Sequence, residues 1–511
     1  MGLPAAETNA ERAEVSDDRD PTASRRWLVG SVAVVGVAGL VLRMVLLTSA
    51  EGRFGGDDAY AGLQAMAILD GDLPIVIRGA VYTAVLESYV YAPIVAVAGG
   101  SLVLLRLFFV AIWGVAAVLA GRAAGELSGS VAGVVAGAVV WIAPGALLTV
   151  SIRAYPGYAL GMVATLVVLL LARRLIDLEV PPARLAFWMG FAAGLGFWIH
   201  SMYVAVLAPV VAAAFVVQRR YPQEVWLPAI GGAILGCSPF LAWNAVNGLP
   251  SITDQPSTEG DYADRLRGVV LDLLPRAFGL KDAALEWRLG SVLGPVLYGV
   301  LLLAVVGGCV ALWRASAKPS RLLVPVALAA VVPLMALLPA LIFTQDGRYG
   351  VIVLPLAAVA IGALATSTAA AVPQQHRLLA AGGVLAGWLA LFVTPAVVDI
   401  VRTIDEDPNR TYFALEERLD EAGVETVYGS FWQVLPLDFV ADGDLTVGVL
   451  PYYSIRFPDE QRAAEAAAPE DTAFVFSLFD EDPLWLRMPV ERYVREQVGE
   501  AVLYLPLPED R

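Results

Sequence analysis

Apolar runs of bilayer-spanning length recur along this 511-residue chain, at about 27–49, 101–124, 130–151, 157–175, 184–200, 202–218, 225–245, 290–313, 321–343, 349–371 and 378–401. A hydrocarbon core about 30 Å thick needs about twenty predominantly apolar residues per helix. Inside it only helices and closed barrels satisfy every backbone donor and acceptor. The pattern therefore predicts a mainly α, polytopic membrane bundle of about eleven transmembrane helices. A hydrophobic share of 58% agrees, since soluble chains sit nearer half. The first run follows Arg25-Arg26 and is too long for a signal-peptide core, so it reads as an uncleaved first span.

Charge orients the bundle. Arg25, Arg26, Arg122, Arg173, Arg174, Arg184, Arg219, Arg220, Arg314, Lys318, Arg321 and Arg377 all fall in connections on one side, which the positive-inside rule makes cytoplasmic. Residues 50–100, 152–156, near 200, 246–289, 344–348 and everything after 402 are then expected outside the plasma membrane. Residues 1–26, polar and of mixed charge, read as a disordered cytoplasmic tail, with the membrane domain at 27–402. The formal charge of −15 belongs to the tail end, because 24 acidic and 8 basic residues fall in 403–511. Nothing in it points to nucleic acid. Lysine is nearly replaced by arginine, a usage that fits a GC-rich bacterial genome. The two cysteines, Cys237 and Cys309, lie in apolar runs and read as buried small hydrophobes, with no disulfide framework.

Beyond Arg402 the pattern changes to helix-like stretches at 411–422, 431–440, 458–468 and 489–498, alternating with strand-like ones at 424–428, 445–450, 473–479 and 502–505. Such alternation predicts a small extracytoplasmic three-layer α/β domain, 403–511, with a largely parallel sheet. Without a Gly-x-Gly-x-x-Gly helix start or a P-loop, no nucleotide is indicated. A lid or acceptor-recognition role is expected instead.

Two adjacent carboxylates, in Gly55-Gly56-Asp57-Asp58-Ala59, follow the first span directly on the outer side. They open a stretch, 57–69, with apolar residues at helical spacing, where negative charge suits a helix N-terminus. Residues 85–98 form a second apolar helix-like run, and the two read as juxtamembrane helices at the interface. The same loop holds Arg78 and Glu87, and the other outer connections hold Arg153, Tyr155, His200, Gln345, Asp346, Arg348 and Tyr349. Polar groups on several helices at one membrane face can converge on one site, although any single one could serve only to solvate its loop.

For a sugar carried on a lipid phosphate, the phosphate is already a competent leaving group. Displacement at the anomeric carbon then needs a general base for the acceptor hydroxyl and cationic help for the departing phosphate. Asp57 is the candidate base, with Asp58 orienting the acceptor or steadying the pair. Arg348 and Arg153 are candidate phosphate ligands, since the guanidinium fork matches phosphate. His200 could accept a hydrogen bond or ligate a metal, so a divalent metal stays open and no cofactor is assigned.

These segments resemble the GT-C superfamily of polytopic glycosyltransferases, in the branch of the family 39 protein mannosyltransferases and the lipid A aminoarabinose transferases. GGDDAYAGLQAMAILDGDLP is similar to that branch's first-loop pattern, RGAVYTAVLESYVYAPIVAVAGGSLVLLRL to the segment that follows it, and FTQDGRYGVIVLPLAAV to its late Arg-Tyr motif. The resemblance covers about 27–400. It implies that Asp57 is the catalytic Asp, that Arg348 binds the lipid-phosphate donor, and that Asp58 stands where Glu is commoner. Arg78, Tyr82 and Glu87 fall in the second segment and join the expected substrate-binding set. Implied too are an undecaprenyl- or decaprenyl-phosphate sugar donor, hexosyl or pentosyl transfer with inversion, and an extracytoplasmic glycan, lipid or protein acceptor. The tail has no WWDYG-like sequence, which argues against the oligosaccharyltransferase branch.

A lipid or solute transporter is the rival from another class. It would carry ionisable residues in mid-span, in two related halves. Pro144, Pro209, Pro239, Pro333 and Pro355 could break helices, but no acidic residue falls at the centre of an expected span. A catalytically silent scaffold would tolerate replacement of Asp57.

Overall fold

All eleven apolar runs become helical, and proline and glycine decide where they break. The computed structural model describes residues 21–217, 222–253, 260–315, 318–404, 407–450, 455–478 and 490–507. Helix α1 (Pro21–Leu47) starts ahead of the expected first span. Most of the expected disordered tail, residues 1–20, lies outside the described residues. The first outer loop holds α2 (Gly56–Leu69), a hairpin of β1 (Val76–Ile77) and β2 (Ala80–Ala84), and α3 (Leu86–Ala98), so both juxtamembrane helices form. There follow α4 (Leu102–Ser128), α5 (Ser130–Trp141), α6 (Gly145–Val150), α7 (Tyr158–Asp177), α8 (Ala183–Ile199), α9 (Val204–Val217), α10 (Pro222–Gly236) and α11 (Ser238–Asn247). Short helices α12 (Pro250–Thr253), α13 (Tyr262–Gly268) and α14 (Leu274–Ala277) lead to α15 (Gly290–Arg314), α16 (Leu323–Ala336), α17 (Leu354–Ala370), α18 (Arg377–Trp388) and α19 (Thr394–Val401).

Eleven full-length spans are not formed. Among the described residues six stretches are long and apolar enough to cross a membrane, or seven if α10 and α11, bent by 60°, count as one. The run at 130–151 is cut between Trp141 and Gly145, next to Pro144, and that at 225–245 bends just before Pro239. Helices α8, α9 and α17 are apolar but shorter, and α17 is buried through almost all of its first ten residues. Helices α8 and α10 lie backbone to backbone. A Cβ on Gly190 would come 1.9 Å from the Ala229 carbonyl oxygen and one on Gly232 2.1 Å from that of Phe187, the close approach that small residues permit between membrane helices. Arg173, Arg174, Arg184 and Lys318 line one depression. Close by, Arg321 Nε donates to the Leu127 carbonyl at 3.0 Å, so these five of the expected inner-side cations lie at one end.

At the other end stands the C-terminal region: α20 (Arg410–Ala422), β3 (Thr426–Gly429), α21 (Phe431–Val440), β4 (Thr446–Val449), α22 (Pro458–Ala466), β5 (Thr472–Ser477), β6 (Tyr493–Val498) and β7 (Ala501–Pro506). Its five-stranded sheet runs β4-β3-β5-β7-β6. Strand β3 is parallel to β4 and β5, but β7 is antiparallel to both β5 and β6. The expected fourth helix at 489–498 is therefore a correction. Tyr493–Val498 is an edge strand with only its first residue buried, and it turns into β7 at Gly499, whose φ of +58° suits glycine.

This region shares one hydrophobic core with the first loop. Phe54, Ala59 and Leu63 pack with Phe431, Leu435, Phe439, Val475 and Leu503. The Phe54 and Phe439 rings stack at 5.3 Å. Asn409 Oδ1 accepts from the Phe54 backbone N–H at 2.7 Å, and the Tyr412 hydroxyl donates to the Phe54 carbonyl at 3.1 Å.

Candidate active site

Helix α2 begins in a way that separates its two carboxylates. Gly55 is the extended N-cap, and Asp58, three residues on, reaches back to accept the Gly55 N–H at 3.2 Å, the carboxylate half of a capping box. The Asp58 side chain is 1% exposed. It also accepts from Arg106 of α4 at 3.1 Å, from Arg153 at 3.0 Å and from the Ala154 N–H. Burial acts to raise the Asp58 pKa, but Arg106, Arg153 and the Ala154 N–H outweigh it and hold the carboxyl below its ordinary range. Breaking such a buried pair costs about 3–5 kcal/mol, so Asp58, Arg106 and Arg153 form an anchor between α2, α4 and the 151–157 turn.

Asp57 faces the other way. Its side chain keeps 28% of its surface, and no hydrogen bond reaches its carboxylate among the described residues. Arg348 Nη1 stands 3.7 Å from Asp57 Oδ2. Desolvation in the recess pushes the Asp57 pKa up, and the charges of Arg348 and Arg456 only partly offset it.

Arg348 is fixed by its own turn. Asp346 caps the short 3-10 helix Gly347–Ile352, accepting the Arg348 N–H at 3.0 Å and pairing with its Nε at 2.9 Å. The guanidinium stands 5.6 Å from the Tyr155 ring centroid, 5.8 Å from that of Tyr158 and 5.3 Å from that of Tyr349. Such contacts favour the cation, and the Arg348 pKa is raised despite its burial. Behind this cage lies His200, 2% exposed. Its ring meets Tyr82 at 5.3 Å and Tyr158 at 5.6 Å, and its Nδ1 accepts the Met202 N–H.

Of the residues singled out from sequence, Asp57, Tyr82, Tyr155, His200, Arg348 and Tyr349 come together. Arg78 does not join them: Asp72 takes both of its terminal nitrogens, at 2.7 and 2.8 Å. Gln345 is exposed, and its backbone carbonyl accepts from Arg276. Glu87 is 1% exposed and faces inward, with Oε1 accepting the Gly157 N–H at 2.7 Å. Burial lifts its pKa to about 7. Sequence reasoning passed over Arg106, Tyr158, Arg456 and the loop cations Arg276, Lys281 and Arg288. The last three join Tyr155, Asp346 and Arg348 around a cavity of about 370 Å³. Within it Arg288 pairs with Asp399, while Lys281 pairs with Asp272, outside the lining, at 2.7 Å. Among the described residues no three His, Cys, Asp or Glu side chains converge as a metal site.

The whole arrangement can be laid over known architectures. The apo crystal structure of ArnT, an aminoarabinose transferase from Cupriavidus metallidurans, matches with a TM-score of 0.62 over 94% of this chain and 98% of that one, at 14% identity. The same protein bound to undecaprenyl phosphate matches at 0.60, with 13% identity and the same coverage. The chain has the GT-C fold. The apo oligosaccharyltransferase of Archaeoglobus fulgidus, a second GT-C glycosyltransferase, matches at 0.51 over 95% of this chain and 75% of that one, with 14% identity. No family model and no curated protein sequence matches. Identities this low carry the GT-C architecture, not the substrate.

Proposed function

We propose that the protein is a membrane glycosyltransferase that moves a sugar from a polyprenyl-phosphate donor to an acceptor hydroxyl at the outer membrane face. The observation that carries this reading is the division of labour in the Asp pair: Asp58 is saturated by partners, while Asp57 accepts no hydrogen bond among the described residues and stands 3.7 Å from the Arg348 guanidinium. ArnT, whose fold the chain shares, has been crystallised with undecaprenyl phosphate.

In this mechanism the acceptor oxygen attacks the anomeric carbon while Asp57 takes its proton. The bond from that carbon to the phosphate oxygen breaks, and the lipid phosphate leaves with the electron pair. Attack opposite the leaving group inverts the anomeric centre. Arg348, held by Asp346 and the tyrosines, stabilises the charge that collects on the phosphate, and the neighbouring Arg276 and Arg288 add to the field. Asp58 acts through position, fixing the helix start that aims Asp57.

The test is transfer of radiolabelled sugar in membranes supplied with polyprenyl-phosphate sugars, comparing wild type with Asp57→Asn at matched expression. General-base catalysis is worth about 10²–10⁴-fold, and the variant should lose at least that much. Near-normal turnover in Asp57→Asn would remove Asp57 as the base.

A further inference from the structure

Asp57 has a second cation beside it that comes from the far end of the chain. Gly56 is bare toward the C-terminal region, where a Cβ would lie 2.4 Å from Phe431 Cε1, so the Phe431 ring rests directly on the residue before Asp57. Over that ring, 5.3 Å from its centroid, sits the guanidinium of Arg456. Its other side packs on the turn of the β1–β2 hairpin. Gly79 there has a φ of +72°, and a Cβ on it would lie 2.1 Å from Arg456 Nη1. Arg456 is thus gripped between an aromatic ring and bare backbone, yet Nη1 is buried without a hydrogen-bond partner among the described residues. A buried guanidinium nitrogen left unpaired costs free energy, and an oxyanion would relieve that cost.

Two further facts fix which substrate such an anion belongs to. Arg348 lines the cavity shared with Arg276, Lys281 and Arg288, and Arg456 is not part of that lining. Arg456 instead comes from the segment before α22, lies between the hairpin turn at Gly79 and the Phe431 ring, and acts on Asp57 through its charge. Of the cations around Asp57, Arg348 and Arg456 act on it most strongly. Resting on the transfer reading above, a base flanked in this way has the leaving phosphate on the Arg348 side and the acceptor on the other.

We propose that Arg456 is a substrate-binding residue that recognises an anionic group, a phosphate or a carboxylate, on the acceptor. The C-terminal region then selects among hydroxyl-bearing acceptors by charge as well as closing the site.

The experiment uses the full-length protein in detergent, saturated with undecaprenyl phosphate to fill the donor side, then titrated with inorganic phosphate or acetate at constant ionic strength while tryptophan fluorescence is followed. Wild type should give a saturable response. Arg456→Gln should weaken it at least tenfold, and Arg456→Lys should retain part of it, because a charge remains. A stronger response to phosphate than to acetate assigns a phosphorylated acceptor, and the reverse a carboxylated one. Undecaprenyl phosphate binding should be unchanged in Arg456→Gln and weakened in Arg348→Gln. The proposal is overturned by an equal response in wild type and Arg456→Gln, by no response in wild type, or by loss of undecaprenyl phosphate binding in Arg456→Gln. Melting curves on the same samples separate a misfolded variant from a folded one that has lost the anion, and Arg456→Lys carries the test if Arg456→Gln unfolds. No sugar transfer enters these readouts. Failure of undecaprenyl phosphate to bind wild type counts against the donor in the transfer reading, while the anion titration still reads Arg456.

Discussion

At the scale of single residues, the two adjacent aspartates show how one helix turn gives the same side chain opposite roles. In the proposed transfer Asp57 works as the base only when ionised, and burial raises its pKa while Arg348 lowers it. The acid limb of the pH dependence of kcat/KM should therefore lie above the ordinary carboxylate range, near 4, and Arg348→Gln should move it higher still. A limb that stays put or moves down in that variant would contradict the assignment. Glu87 makes a separate pH statement. Its pKa rises from 4.5 to about 7 on folding, so its protonated form favours the folded state. That contribution is complete below 4.5 and is lost as pH climbs through 7. Glu87→Gln, which keeps the shape without the charge, should gain on wild type in thermal stability over that window, by on the order of 3 kcal/mol at its upper end. Equal pH dependence of the two melting curves would show that Glu87 keeps its ordinary pKa. Asp57 and Arg348 were legible in the sequence because each sits beside glycines and polar residues at a span boundary. Arg106 was not, because it lies inside an apolar run and its partner Asp58 is 48 positions away. Asp58 looked like a companion to the base for the same reason: local sequence does not reveal which carboxylate finds the arginines.

At the scale of elements, the decisive contact is α2 against α21. Both start beside small residues, and the bare backbone of α2 at Gly56 and Gly62 lets the aromatic rings of Phe431 and Phe439 on α21 touch it. A Cβ on Gly62 would fall 2.2 Å from the Phe439 ring, and overpacking of this kind costs about 1–3 kcal/mol, occasionally more. Gly62→Leu should loosen the C-terminal region from the first loop while leaving the membrane helices intact. Faster hydrogen exchange confined to 403–511 and α2 would register this, and unchanged exchange in α2 would count against the shared core. Helix periods in the first loop were strong enough to place α2 and α3 within a residue or two. The edge strand β6 misled because an edge strand with one buried residue carries almost no alternation, and six polar-rich residues fit a helix turn equally well. Long unbroken spans are fewer than the eleven apolar runs for a related reason. Hydropathy measures how apolar a run is, whereas Pro144, Pro239 and the turn at Gly347 determine how much of it stays one helix.

For the molecule as a whole, the region after Arg402 is no appendage. Removing residues 403–511 would bare Phe54, Ala59 and Leu63 at the entrance to the site. The truncated protein is expected to elute as aggregate from size-exclusion chromatography in detergent, and a monodisperse, stable truncation would show that the membrane half holds its loop unaided. A helix bundle followed by a small sheet-bearing region was readable from hydropathy and periodicity, but the union of first loop and last strands was not, since it links positions 355 and 358 residues apart. That separation also has a meaning in time. The loop bearing Asp57 leaves the ribosome long before Asn409, Tyr412 and Leu503 exist to complete its core. On the transfer reading, an unfinished chain carries its base on a loop whose core is still incomplete, so the order of synthesis itself delays turnover until the C-terminal strands have docked.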